Sequence, residues 1–172
     1  MSETLSRLIR AIPDFPKPGI LFRDITPVLL DPKGLREAVE ALAAPLRDQG
    51  VTRIAAVESR GFILGAPVAM ALGVGLAIIR KSGKLPHDSH RVDYQLEYGS
   101  DALEMHVDSL GPKDRAIVLD DVLATGGTAA AAGQLVSRCG AQVVGYSFLI
   151  ELKGLNGRAK LGGVPVRAVL EY

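Results

Sequence analysis

Short apolar runs punctuate this chain at intervals, and stretches with helical spacing fill the gaps between them. Ile54 to Val57, Leu76 to Ile79 and Ala116 to Leu119 are too short for helices and rich in β-formers, so they read as buried strands. The segments near Gln142 to Ile150 and Val164 to Leu170 read the same way. Leu35, Val39, Leu42 and Leu46 form one helical stripe, opened by Asp31 as a cap with Pro32 behind it and closed by Gly50. Further helices are predicted near Ile63 to Leu72 and Gly127 to Arg138. Strands alternating with helices predict an α/β fold built on a parallel twisted sheet flanked by helices.

Residues 81 to 108 break that rhythm. Val92, Tyr94 and Leu96 alternate with Arg91, Asp93 and Gln95, and Leu103, Met105 and Val107 alternate in turn. The two segments flank residues 97 to 101, which predicts an inserted antiparallel hairpin standing off the main sheet. Such a flexible hairpin is a candidate lid that keeps water from reactive chemistry; a static edge ribbon is the other reading.

Bulk properties narrow the class without naming a function. A chain of 172 residues, 48% apolar and 23% charged, suits a single globular domain spanning 1–172. A formal charge of +1 gives no reason to expect nucleic acid or an anionic membrane as partner. No apolar run reaches the roughly 18 residues that span a bilayer. The first residues lack the basic and apolar regions of a signal peptide, so a cytoplasmic location is expected. The single Cys139 lies in a helical run and reads as a small core residue. His87, His90 and His106 show no metal-ligand spacing and receive no role.

The chemistry concentrates in residues 116 to 128. Behind the strand Ala116 to Leu119 come two adjacent carboxylates, Asp120 and Asp121, expected where the strand leaves the core. The turn Ala124-Thr125-Gly126-Gly127-Thr128 then opens into an alanine-rich helix. Backbone amides of the turn and the positive end of the helix suit a phosphate, and the acids suit sugar hydroxyls. Taken singly, each half also suits a solvated strand exit or a capped turn. Together they point to a phosphorylated sugar whose two ends are held differently. No lysine follows the glycines and no G-x-G-x-x-G occurs, which disfavours a nucleoside triphosphatase or a Rossmann oxidoreductase. Ligands gather at the carboxyl ends of strands in such sheets, which would bring loops 58–61, 80–84 and 120–128 together.

Residues 116 to 128 resemble the phosphoribosyl-diphosphate (PRPP) signature of the type I phosphoribosyltransferase family. Other segments are similar to motifs of its adenine-specific branch, in the same order: Phe15 to Pro27, Glu58-Ser59-Arg60-Gly61-Phe62, Arg80 to Pro86, and Leu96-Glu97-Tyr98-Gly99. Residues 86 to 90 carry no specific match. The resemblance implies the type I phosphoribosyltransferase fold, with residues 1–34 as a small base-binding N-terminal hood and 81–108 as the lid. It also implies a non-proline cis peptide in the loop at Ser59 and a homodimer.

The implied reaction moves the 5-phosphoribosyl group of PRPP onto adenine, giving AMP and pyrophosphate through an oxocarbenium-like transition state. The resemblance assigns Asp120, Asp121, Ala124, Thr125, Gly126, Gly127 and Thr128 to phosphate and ribose. It assigns Ser59, Arg60, Gly61, Arg80, Lys81 and Lys84 to pyrophosphate. Glu97, Arg60 and Lys84 are the catalytic candidates, with Glu97 handling the purine proton and Tyr98 covering the ribose from the lid. Leu21, Phe22, Arg23 and, on the opposite face, Leu152 would hold adenine. Magnesium is expected mainly as a PRPP complex, with no direct protein ligand and Asp120 or Asp121 acting through water. Two other readings compete: a phosphoribosyltransferase for a 6-oxopurine, and a PRPP-sensing regulator on the same fold. Leu21 to Arg23 favours adenine over the first. A regulator would need a DNA-binding module and a basic face, for which the chain has neither spare length nor net charge.

Overall fold

The computed structural model of the protein describes residues 3–95 and 100–172. Helix α1 (Glu3–Leu8) leads into a two-stranded antiparallel ribbon of β1 (Arg10–Pro13) and β2 (Leu21–Asp24), followed by helices α2 (Thr26–Leu30) and α3 (Pro32–Ala43). The alternating part then runs β3 (Arg53–Val57), α4 (Arg60–Leu72), β4 (Gly75–Lys81), β5 (Ser89–Gln95) and β6 (Ser100–His106). It closes with β7 (Arg115–Leu123), α5 (Gly127–Arg138), β8 (Gln142–Glu151) and β9 (Val166–Glu171).

Seven strands form one sheet in the order β5-β6-β4-β3-β7-β8-β9. The five strands from β4 to β9 in that order are mutually parallel, while β6 runs antiparallel to β4 and β5 antiparallel to β6. Residues 54–57 of β3 and 116–119 of β7 are unbroken apolar runs because both of their faces are covered. Ala55, Val57, Ala116 and Val118 pack with α5 and the hairpin through Leu135, Val136, Leu103 and Met105. Ile54, Ala56, Ile117 and Leu119 pack on the other side with Leu5, Leu42, Leu64 and Val68 of α1, α3 and α4. The two-residue period of a strand thus divides one apolar sequence between two cores.

Local chemistry sets the helix limits. The Asp31 carboxylate accepts from the amides of Lys33 and Gly34 at 2.8 and 2.7 Å, and Pro32 fills the first position of α3. The stripe predicted through Leu46 ends as α-helix at Ala43, and a 3₁₀ turn carries Ala44 to Leu46. Pro45 explains the change, since it has no amide to continue the helical ladder. Gly73, left-handed at φ 67°, ends α4. β9 begins at Val166, after Pro165, which cannot donate to a ladder.

Two expectations are corrected. β7 does not end at Leu119: Asp120 and Val122 still pair with Phe148 and Ile150 of β8, so both acids belong to the strand. Val122 and Leu123 supply the apolar residues that prolong the ladder. The hairpin does not stand off the sheet either. Arg80 and Lys81 pair with Glu104 and Leu103, which makes β6 the continuation of the sheet edge. Buried Val92, Leu103 and Met105 seat the hairpin against the α5 layer. Cys139 is half-buried, with burial pushing its thiol up from the ordinary value.

Replacing Asp31 with alanine removes both acceptor contacts at the start of α3. It should destabilise the protein by about 1 kcal/mol, read as a lower denaturation midpoint with an unchanged slope.

Candidate active site

A cavity of about 570 Å³ opens where β3, β7 and β8 end, closed on one side by β2. One wall is the turn after β7. Gly126 takes φ 80° as the N-cap of α5, a left-handed conformation suited to glycine. The helix bond ladder starts with the Ala130 amide donating to the Gly126 carbonyl at 2.9 Å, so the amides ahead of it have no intrahelical acceptor. Thr125 and Thr128 line the same wall. The turn is locked from behind. A Cβ on Gly126 would lie 2.3 Å from the Gly157 carbonyl oxygen, and one on Gly157 would lie 2.3 Å from that of Ala124. No spacing argument singles out Gly157, which is remote in the chain and meets the turn only in the fold.

Asp120 and Asp121 have different surroundings. The Asp121 carboxylate, only 4% exposed, accepts from Arg60 Nε at 2.5 Å. Desolvation opposes the Arg60 charge, but the hydrogen bond and charge of Asp121 outweigh it and raise the guanidinium further. The Asp120 carboxylate accepts from the Asp121 amide at 2.8 Å and from no basic side chain among the described residues. Burial first, then the adjacent Asp121 charge, hold its pKa well above the usual carboxylate range. Gly61 lies behind the wall. A Cβ there would stand 2.9 Å from Asp120 Oδ1 and 3.0 Å from the Leu119 carbonyl oxygen, so glycine lets the start of α4 close on β7.

Ser59 and Arg60 line the cavity from the loop after β3, where the Glu58–Ser59 peptide is cis. Glu58 itself gathers the neighbouring loop. Its carboxylate accepts from Lys84 Nζ at 2.8 Å, the Lys81 amide at 2.9 Å and Arg80 Nε at 3.1 Å. Burial would raise the Glu58 pKa, yet these donors together hold it below the ordinary value. Arg80 and Lys84 therefore stand behind Glu58, whereas Lys81 reaches the cavity wall. The Lys81 ammonium pairs with Asp101 of β6.

The base-side wall comes from β2. Leu21, Phe22 and Arg23 line the cavity, with Phe22 edge-on to Phe15 at 5.2 Å and the Arg23 guanidinium 3.9 Å above the Tyr172 ring. Arg60 lies 5.9 Å from the Phe22 ring, joining this wall to the acidic pair. Leu152 faces the cavity from beyond β8, its amide bound to the Leu123 carbonyl at 2.9 Å. Ile20, Val122 and Phe148 complete the apolar lining. The fold thus brings together the turn, the two acids, Arg60, Lys81 and the apolar slot in one cavity, while Arg80, Lys84 and Gly61 stand outside its lining. Glu97 and Tyr98 lie outside the described residues. Glu58 is the polar wall residue that sequence reasoning left without a role, because its three partners are recognisable only once two loops meet.

Residues 29–160 match the family model of the phosphoribosyl transferase domain. The adenine phosphoribosyltransferase of a Synechococcus species is 55% identical over 168 residues, covering 98% of each chain. Among solved structures, that of adenine phosphoribosyltransferase from Rhodothermus marinus matches with a TM-score of 0.93 at 54% identity, over 99% of this chain and 97% of that one. The Saccharomyces cerevisiae enzyme, solved with an imino-altritol bisphosphate and adenine, matches with a TM-score of 0.94 at 38% identity, over 98% and 97% of the two chains. Sequence, fold and cavity agree, and the chain belongs to the phosphoribosyltransferase family, in its adenine phosphoribosyltransferase branch.

Proposed function

We propose that this protein is a purine-salvage enzyme that transfers the 5-phosphoribosyl group of PRPP to N9 of adenine, releasing AMP and pyrophosphate. One observation carries the reading: a single cavity presents, side by side, a helix-start turn, two acids, the cations Arg60 and Lys81 and an apolar-aromatic slot. That order matches the 5′-phosphate, ribose diol, diphosphate and purine of the two substrates. The yeast relative, solved with a bisphosphate and adenine together, supports it.

In this reading the amides of Gly126 to Thr128 and the hydroxyls of Thr125 and Thr128 hold the 5′-phosphate, with Ala124 shaping the turn. Asp120 and Asp121 take the ribose hydroxyls. Ser59, Arg60, Arg80, Lys81 and Lys84 hold the diphosphate, and Gly61 lets their loop approach. As the bond from ribose C1 to the diphosphate oxygen breaks, charge moves onto the leaving group, and these fixed cations stabilise that state most. N9 bonds to C1 and sheds its proton. Glu97 is proposed as the group that assists this loss and Tyr98 as the ribose cover, both from the family resemblance. Phe22 and Leu152 sandwich the ring while backbone groups of Leu21 to Arg23 read its edge, so a 6-oxo base would leave buried donors unpaired.

Magnesium fits this site as a companion of PRPP. Arg60, Arg80, Lys81 and Lys84 are largely offset by Asp121, Glu58 and Asp101 in direct pairs. The wall therefore offers little net positive charge to a polyanion. Asp120, with no basic partner, is the carboxylate best placed to meet the hydrated metal with Asp121. Magnesium bound to PRPP would neutralise the diphosphate as it leaves. The reading includes a cytoplasmic homodimer without nucleic-acid or membrane partners. Among the described residues no helix is long and apolar enough to cross a membrane, and Ile63 and Met70 leave α4 an apolar outer face.

Incubating the protein with PRPP, magnesium and either adenine or guanine tests the reaction: AMP should form readily, and equal use of guanine would remove the adenine assignment. Arg60→Ala or Asp121→Asn leaves a buried charge or its partner alone, so kcat/KM for PRPP should fall by at least about thirtyfold. Asp120→Asn should separate stability from function. A raised folded-state pKa means that Asp120 favours folding below the ordinary carboxylate pKa and loses that contribution as pH rises through the folded value. The asparagine variant should therefore melt higher than wild type at neutral pH without added ligand. That advantage should vanish in acid, while PRPP use is impaired throughout.

A further inference from the structure

The hairpin register builds a small polar cluster against the cavity cation Lys81. Tyr94 and Asp101 are directly opposed across β5 and β6, so their side chains share a face. Lys81 pairs with Leu103 on the other side of β6, which makes Asp101, two residues earlier, its diagonal neighbour. Side-chain contacts follow that geometry. The Lys81 ammonium forms an ion pair with Asp101 Oδ2 and lies 3.5 Å from the Tyr94 hydroxyl. Tyr94 in turn donates to Asp101 at 3.3 Å and accepts from Thr128 Oγ1 in the cavity turn at 3.4 Å. One tyrosine hydroxyl thus touches both a cation of the expected diphosphate site and a hydroxyl of the expected 5′-phosphate site.

We propose that Asp101, steadied by Tyr94, is a positioning residue that competes with diphosphate for Lys81. The inference rests on the reading of the cavity as a PRPP site. Asp101 fixes the lysine at the cavity edge but cancels much of its charge, and an arriving diphosphate meets a nearly neutral pair. The arrangement keeps Lys81 in place for the transition state while weakening the hold on the pyrophosphate product. Burial alone would lower the Lys81 pKa, and the Asp101 pairing reverses that, so the ammonium is charged when diphosphate arrives.

Calorimetric titration with inorganic pyrophosphate and magnesium tests the competition in wild type, Asp101→Asn, Lys81→Met and the double variant. Asp101→Asn should tighten pyrophosphate binding about two- to fivefold, the range of a partly exposed ion pair, and lower KM for PRPP with KM for adenine unchanged. In the Lys81→Met background the gain should disappear, because Asp101 then has no cation to withhold. Tyr94→Phe should shift binding in the same direction by less, and it decides the matter if Asp101→Asn melts markedly lower than wild type. Equal or weaker binding by Asp101→Asn, or a gain that persists without Lys81, overturns the competition and leaves the PRPP site standing. Failure of the wild type to bind pyrophosphate overturns the reading of the cavity itself.

Discussion

Largely buried carboxylates stand at the ends of these parallel strands, and the whole site is shaped by how their charge is compensated. A buried carboxylate without a partner is costly, so three of these carboxylates are met by cations from other parts of the chain. Arg60 from α4 meets Asp121 from β7, Arg80 and Lys84 meet Glu58 at the end of β3, and Lys81 meets Asp101 from the hairpin. These pairs tie neighbouring loops together without an apolar core at the cavity mouth. They also leave the wall with cations fixed in position but nearly neutral as a group. On the proposed reading, a polyanionic substrate is gripped by exchange of partners, which moderates affinity while preserving orientation.

The acids themselves are set apart by surroundings rather than by sequence. Asp121 is neutralised by a guanidinium, whereas Asp120 is crowded by Gly61 and its own neighbour with no cation of its own. Two identical side chains, adjacent in one strand, thus meet different surroundings. The unpaired one is a local weakness that folding alone would remove, a pattern expected where a group is kept for a ligand.

Much of this was legible from the residues. Ile54 to Val57 and Ala116 to Leu119 are apolar at every position because both faces of the central strands are covered, and Asp31-Pro32 carries its own capping chemistry. The turn at Gly126 was legible because glycine and threonine in that order have a specific use. What escaped depended on partners distant in sequence. Glu58 gains its meaning from Arg80, Lys81 and Lys84, and Gly157 from a carbonyl more than thirty residues away. The continuation of β7 through its acids depended on Phe148 and Ile150 lying alongside, and the docking of the hairpin on an open edge of β4. Local pattern reports local preference, and these features belong to the assembly.

The interlock of Gly126 with Gly157 bears on how such a protein can change over evolutionary time. One short excursion after β8 carries Leu152 on the cavity wall and, five residues later, the glycine that seats the backbone of the turn at Gly126. If Leu152 packs on the base as proposed, exchange of the side chain at 152 can retune base preference without moving that seat. Insertion or deletion within the same excursion would shift both together, so diversification of substrate range here is confined to swaps of residue identity at constant length.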